Sequence, residues 1–487
     1  MISDEAFDEE WDLVTDVLVV GFGGAGCSAA ITASDLGASV IVLEKMDEHR
    51  QGGNLRVSGG VWFSSTSPEK SAEYLRALSG DFPLPEPIVQ VWAEETSKNT
   101  EWIESLGLPT AVQSTPGPEY PELPGSDGYV GYIGIGGAFG REVLWRSLAQ
   151  AVNDRPIDVL METRAVELIQ ASPGGRVVGL VAERDGKTLR IRARNGVVLA
   201  TGGFENNSEM VRDYLGIGGE PVVWGSQAGT GDGIKMAMKA GADLWHMDNM
   251  MSAVGIRVPD FDSGFLFDPQ RLGYVFVGRD GTRFANEVPH MGHGQALVSG
   301  SYELFPTKPS IFIFDEATRK HGPVCPNLDL WPVGYNLLVE GYVWSQDNSV
   351  EIDKGWIQTA DSIRELATIV GLDPTALEET IERYNRSCAE GRDEQFGRSP
   401  ETLLPISEGP FYACTWGPML GWTNGGPRRN EHAEVVDPFG QVIGGLYAAG
   451  NISSTYSWCK DGGFHIADAL AMGRVAGRRA SSASATS

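Results

Sequence analysis

Gly21-Phe22-Gly23-Gly24-Ala25-Gly26 follows the apolar run Val17-Leu18-Val19-Val20, and Glu44 closes a second apolar run, Val40-Ile41-Val42-Leu43. The order is strand, glycine turn, helix (Ala25 to Leu36) and second strand, the pattern of a dinucleotide-binding βαβ unit. Gly21, Gly23, Gly24, Ala25 and Gly26 let the backbone approach a pyrophosphate, and the helix start presents N–H groups to it. Glu44, 23 positions after Gly21, accepts from ribose hydroxyls. A second glycine signal, Gly445-Leu446-Tyr447-Ala448-Ala449-Gly450-Asn451, lies near the other end.

The 487 residues suffice for two substantial domains. With 38 basic and 65 acidic side chains the net charge is −27, which argues against nucleic acid or an anionic membrane surface as partner. The five cysteines, Cys27, Cys325, Cys388, Cys414 and Cys459, form no CxxC pair, so a reduced, cytoplasmic setting is expected. No basic segment followed by an apolar run opens the chain, and no run reaches the roughly 18 apolar residues of a membrane span. No cluster has metal-ligand spacing, so no metal is expected.

Residues 1–242 read as the first part of an α/β domain. Helical signals cover 86–107 and 234–240, and alternating strands run from Asp158 to Ala200, with turns at Gly174-Gly175 and Asp185-Gly186. The stretch Pro116 to Gly140 reads as a long surface segment of the kind that folds over a site. Residues 243–410 change texture, with more aromatics, prolines and short apolar runs, and read as an inserted α+β substrate domain with helices over 361–370 and 374–390. Residues 411–480 return to strand, glycine turn and long helix, completing the first domain. The tail, 481–487, is expected to be disordered.

Further motifs accumulate in order along the chain. They are Glu44-Lys45, Gly52-Gly53-Asn54, Ser58-Gly59-Gly60-Val61-Trp62, Ala200-Thr201-Gly202-Gly203-Phe204 and Thr230-Gly231-Asp232-Gly233. Asp280 to Glu287, Thr423-Asn424-Gly425-Gly426 and Gly473-Arg474-Val475-Ala476-Gly477 follow. With these the chain resembles the FAD-binding superfamily of fumarate reductase and succinate dehydrogenase flavoproteins, and within it the 3-ketosteroid dehydrogenases. The resemblance implies a Rossmann-like FAD-binding domain built from both chain ends and non-covalent FAD. It places Lys45, Gly52, Gly53, Asn54, Ser58, Gly59, Gly60, Val166, Ala200, Thr201, Gly202 and Asp232 along the cofactor. Gly450, Asn451, Gly463, His465 and Ile466 join them at the flavin end.

Departures from the family bear on the substrate. Dicarboxylate-reducing members carry an arginine shortly after their Asn-Glu, whereas Asn286-Glu287 here is followed by Val288-Pro289-His290-Met291-Gly292-His293. The His-Gly and the carboxylate-gripping arginine of those members give way to Ser453 through Gly463. The tyrosine-proline-glycine of the ketosteroid enzymes is also missing, although Trp62, Phe63, Tyr129, Tyr132, Trp416, Trp422, Tyr456 and Trp458 supply aromatic surface.

Candidate acid–base groups are Tyr456, His290, His293 and His465, each set against a packing or solvent-exposed role. Lys460 and Asp461 read as a solvated turn, with a substrate pair as the other reading. The resemblance implies that Arg283 and Glu287, which stand four apart, help knit the two domains. The reading that results is an FAD-dependent dehydrogenase acting on the CH–CH bond beside the carbonyl of an apolar cyclic ketone, with an external electron partner. One alternative is an ene-reductase of an unsaturated acid or enone, which needs basic groups such as Arg428, Arg429 or Lys460. The other is a flavin-fold protein that binds a ligand without turnover.

Overall fold

The structure is a computed structural model that describes residues 11–218, 221–288, 293, 295–298, 301–304, 310–416 and 419–482. The chain divides into two compact units, one of residues 1–215, 226–250 and 422–487, the other of residues 216–225 and 251–421.

The first unit is built on an eight-stranded sheet. Its parallel centre holds β1 (Leu13–Val20), β2 (Val40–Leu43), β3 (Ile157–Leu160), β4 (Lys187–Leu199) and β5 (Val442–Ala448), in the order β5-β4-β1-β2-β3. Val17 pairs with Val40 and Leu446 with Val197, so a strand from the far end of the chain completes the nucleotide sheet. Val17, Leu18, Val19 and Val42 are fully buried, as expected of parallel strands covered on both faces. Helix α1 (Gly24–Asp35) follows β1 and packs on α2 (Phe464–Ser482). The two helices approach closely because Gly473 and Gly477 face α1: a Cβ on either would stand 2.5 Å from the carbonyl oxygen of Ala25 or Ala29. The α/β class and the union of both chain ends are as the glycine signals predict.

Three local expectations are corrected. The helix over 86–107 is two helices, Glu86–Ser97 and Asn99–Ser105, meeting at Lys98. Part of the Pro116 to Gly140 segment is a strand, Tyr129–Ile135, paired with Trp62–Ser65 and Thr110–Ser114. Gly131 and Gly134 interrupt its apolar alternation and hide it. Ser481 and Ser482 close α2 rather than opening a tail.

The second unit centres on an antiparallel sheet in the order Tyr274–Val277, Ser310–Asp315, Phe411–Trp416, Gln358–Ala360. Strand alternation gives it two faces. Val275, Val277, Ile311 and Ile313 pack with Leu366, Leu377, Ile381 and Tyr384, while Tyr274, Phe276, Phe312 and Phe314 join an aromatic core with Trp344 and Trp356. No described helix is long and apolar enough to cross a membrane.

Candidate cofactor and active site

The turn between β1 and α1 leaves no room for larger side chains. A Cβ on Gly26 would lie 1.9 Å from the Gly21 carbonyl oxygen, and one on Gly21, at φ +106°, would lie 2.4 Å from that of Ala200. Gly23 caps α1, and no side chain caps it, so the first N–H groups of the helix remain for an anion. Glu44, 6 % exposed, accepts from the backbone N–H of Phe22 (3.2 Å) and of Met46 (2.9 Å). Burial pushes its carboxyl up, and those two N–H groups oppose the shift. Lone pairs remain on it for hydroxyl donors.

The other cofactor candidates gather in the same unit. Gly53 and Gly202 adopt left-handed backbone (φ +54° and +73°) beside open space, where a Cβ meets nothing within 4 Å. The Oγ1 of Thr201 is buried without a hydrogen-bond partner among the described residues. Ser58 donates to the Leu55 carbonyl and accepts from Gly60 N–H, fixing the turn at Gly59. The strand register skips Val166, between Ala165 and Glu167, which frees backbone of a bulge for contact. Lys45 and Asp232 form an ion pair at 3.0 Å, and Arg164 reaches the same carboxylate at 2.9 Å. Burial works against that carboxylate, yet Arg164 and Lys45 hold it down at about 2. Gly450 packs on Ala25, where a Cβ would stand 2.9 Å away. Asn451 Oδ1 lies 3.1 Å from His465 Nδ1, while Gly463 and Ile466 mark the start of α2. The cradle fits a dinucleotide: glycines where backbone must approach, a bare helix start, and a carboxylate for hydroxyls.

Tyr456 lies at the centre of the 451–463 loop but is fully buried. Its hydroxyl donates to the Phe464 carbonyl at 2.5 Å and accepts from Trp92 Nε1 at 3.2 Å. Burial drives its ionisation far up. Both capacities of the phenol are engaged inside the protein, which favours the packing role. Tyr456→Phe is accordingly expected to leave turnover within about twofold and to lower stability by about 1–3 kcal/mol, because Trp92 N–H and Phe464 C=O lose their buried partner; thermal melts beside steady-state rates check this. His465 is half-buried, its ring edge-on to Trp422 (4.7 Å) and Tyr456 (4.8 Å). His293 is half-buried in the second unit at φ 46°. His290 lies outside the described residues.

Two charged residues overturn the solvated-turn reading, for Lys460 and Asp461 are both fully buried. Asp461 accepts from the hydroxyls of Tyr74 (2.6 Å) and Tyr132 (2.9 Å) and from Glu119 N–H (2.8 Å). Burial, with the nearby Glu119 charge, pushes its carboxyl up to about 6. Gly462 is needed here, since a Cβ would stand 2.4 Å from the Tyr132 hydroxyl. Lys460 makes one hydrogen bond among the described residues, a long one of 3.4 Å to the Met250 carbonyl. Burial pulls its ammonium down to about 8.

The other two basic candidates are held by protein groups, although Nη1 of Arg429 is buried without a hydrogen-bond partner among the described residues. Arg428 pairs with Asp243 at 2.5 Å. Arg429 donates to Thr455 (2.7 Å) and the Ser453 carbonyl (3.1 Å), with Asp468 at 3.6 Å. Arg283 and Glu287 form a buried cluster with Asp393 and Arg398. All four belong to the second unit, so they knit that unit internally rather than joining two domains.

A family profile described as "FAD binding domain" matches residues 16–470. The chain is 30% identical over 477 residues to an NADH:fumarate oxidoreductase of Klebsiella pneumoniae, covering 96% of this chain and 47% of that protein. It is 29% identical to a fumarate reductase (cytochrome) of Shewanella frigidimarina, covering 96% of this chain and 76% of that protein. The chain thus spans about half of the first relative and three quarters of the second. Its fold is similar to that of a 3-ketosteroid delta1-dehydrogenase from Sterolibacterium denitrificans, with a TM-score of 0.80, 22% identity, and coverage of 96% of this chain and 99% of that one.

Proposed function

Since the chain belongs to the FAD binding domain family and holds FAD non-covalently, we propose that it is an oxidoreductase of the ene-reductase type. Its substrate is a C=C bond conjugated to a carboxylate or carbonyl. The observation that carries this reading is Lys460, a fully buried ammonium with no carboxylate partner among the described residues. Burying a cation costs several kcal/mol unless an oxygen compensates it, and an unsaturated acid or enone brings that oxygen. The fumarate-reducing relatives support the same reaction class. A carboxylate answers that cation most fully and the neutral carbonyl of a saturated cyclic ketone only in part, so the ketone becomes the rival substrate.

In this reading Lys460 grips the substrate oxygen and draws electron density from the double bond. Bound FAD supplies the hydride. Tyr132 is the proton donor to the carbon next to the carbonyl, and Asp461 supplies Tyr132. When protonated, Asp461 donates to the Tyr132 oxygen and frees the phenol proton for the substrate; Tyr74 and the Glu119 N–H hold the carboxyl in place.

The sign follows from this order. Reduction needs Asp461 protonated, so kcat is expected to fall as pH rises through about 6. Tyr132→Phe should cut turnover by about 10²- to 10⁴-fold, the usual worth of a positioned proton donor, with FAD retained. Steady-state assays with reduced viologen as electron donor test the whole scheme, using unsaturated monoacids, diacids and enones as acceptors. Turnover confined to conjugated acids or enones supports it. Absence of turnover with every acceptor, from enzyme that carries FAD, overturns it.

A further inference from the structure

A carboxylate outside the proposed substrate chemistry lies among the cofactor segments of the first unit. Glu205 is 1 % exposed and follows Ala200-Thr201-Gly202-Gly203-Phe204 directly. Its Oε1 accepts from Asn54 Nδ2 at 3.1 Å, and its Oε2 from the N–H and hydroxyl of Thr423, both at 3.3 Å. Asn54 is held in turn by Ser226 N–H at 2.8 Å, and Thr423 Oγ1 accepts from Phe204 N–H at 2.8 Å.

The backbone is shaped around this carboxyl group. A Cβ on Gly203 would stand 2.5 Å from Oε2, and one on Gly229 would stand 2.4 Å from Oε1. All of these donors are neutral. Glu205 makes no ion pair among the described residues, and the charges on the segments packed against it are committed elsewhere. Arg56, on the Asn54 segment, pairs with Glu142. Asp232, beyond Gly229, pairs with Lys45 and Arg164. Arg428 and Arg429, beyond Thr423, are engaged with Asp243, and with Thr455 and Asp468.

A buried carboxylate with only neutral donors is stabilised less than one paired with a cation, so it is ready to accept a proton. Burial places its carboxyl at about 7. Asn54, Thr201 and Gly202 lie on segments that would hold the cofactor, and negative charge added to it there would repel the Glu205 charge and shift the balance further towards the acid. We infer that Glu205 is a redox-linked proton site that takes up a solvent proton when FAD is reduced and releases it on reoxidation.

The balance is two electrons from an external reductant entering FAD, with one proton joining the Glu205 carboxylate in addition to any taken by the cofactor. This inference rests on FAD binding alone and holds whether the substrate is an acid, an enone or a ketone. The test is the midpoint potential of the holoenzyme FAD against pH, for wild type and Glu205→Gln. Glutamine keeps the shape and an acceptor for Asn54 but cannot titrate. Around neutral pH the wild-type potential is expected to fall more steeply than that of the variant, by about 30 mV per pH unit, the value of one extra proton in a two-electron couple.

Identical slopes overturn the inference. Should the variant lose FAD, redox-difference infrared spectra of the wild-type holoenzyme decide the matter. Reduction at neutral pH should produce a protonated-carboxyl C=O band that shifts in D2O, and its absence contradicts the proposal.

Discussion

Lys460→Met is expected to abolish most turnover of an unsaturated acid while leaving the fold and FAD intact. Truncating one partner of a buried charge pair costs about 4 kcal/mol, or roughly a thousandfold in kcat/KM. Because the ammonium both grips the substrate oxygen and draws electron density from the double bond, the loss should appear in kcat as well as in KM. Methionine has a similar unbranched side chain without a charge, so stability should hold or rise. The wild-type lysine titrates lower in the folded chain, about 8, than its ordinary 10.5. It therefore destabilises the fold below pH 8, and the penalty fades as pH climbs towards 10.5. Thermal midpoints at pH 7 and pH 10 should converge for wild type and variant at the higher pH. The same titration predicts that wild-type kcat/KM for an anionic acceptor, already falling above about pH 6 as Asp461 ionises, declines more steeply above about pH 8, where the cation is lost. A variant that keeps wild-type kcat/KM would remove Lys460 from the substrate site.

The second large effect concerns the cofactor. Gly26→Ala places a Cβ 1.9 Å from the Gly21 carbonyl oxygen and 3.0 Å from its carbon, and both are backbone atoms. Neither can swing aside as a side-chain tip does, so the β1–α1 turn must spread. Overpacking of this kind costs about 1–3 kcal/mol, here felt where the pyrophosphate meets the helix start. The variant should purify largely without flavin colour, with an FAD affinity weaker by about a hundredfold. Circular dichroism should still show the α/β fold, because α1 keeps its packing on α2. Stoichiometric FAD in the purified variant would contradict the placement of the pyrophosphate.

The nucleotide half of this molecule is legible in the chain because its signals are local. Gly21 through Gly26 sit between two apolar runs, and the need for glycine at Gly26 is set by the Gly21 carbonyl five positions away, although Gly21 itself is confined by the distant Ala200. The substrate side is different. Trp458-Cys459-Lys460-Asp461-Gly462-Gly463 has the look of an exposed turn, yet Lys460 and Asp461 are buried by Tyr74, Tyr132 and Met250, which are far off in the chain. No local pattern encodes that burial. The burial of Tyr456 is hidden for the same reason, since its partner Trp92 lies on a distant helix. Glu205 had a weak signal in Gly203 and Gly229, two glycines whose purpose emerges only when the carboxyl between them is seen.

The most direct test of the central claim is a single turnover followed at the flavin absorbance without oxygen, run in both directions. Chemically reduced enzyme is mixed with an unsaturated acid or enone, and oxidised enzyme with saturated cyclic ketones, 3-ketosteroids among them. An ene-reductase reoxidises rapidly with at least one conjugated acceptor, more slowly in Lys460→Met, and is not bleached by the saturated ketones. Rapid bleaching by a saturated ketone, with no reoxidation by any conjugated acid or enone, would contradict the account and make the protein a ketone dehydrogenase.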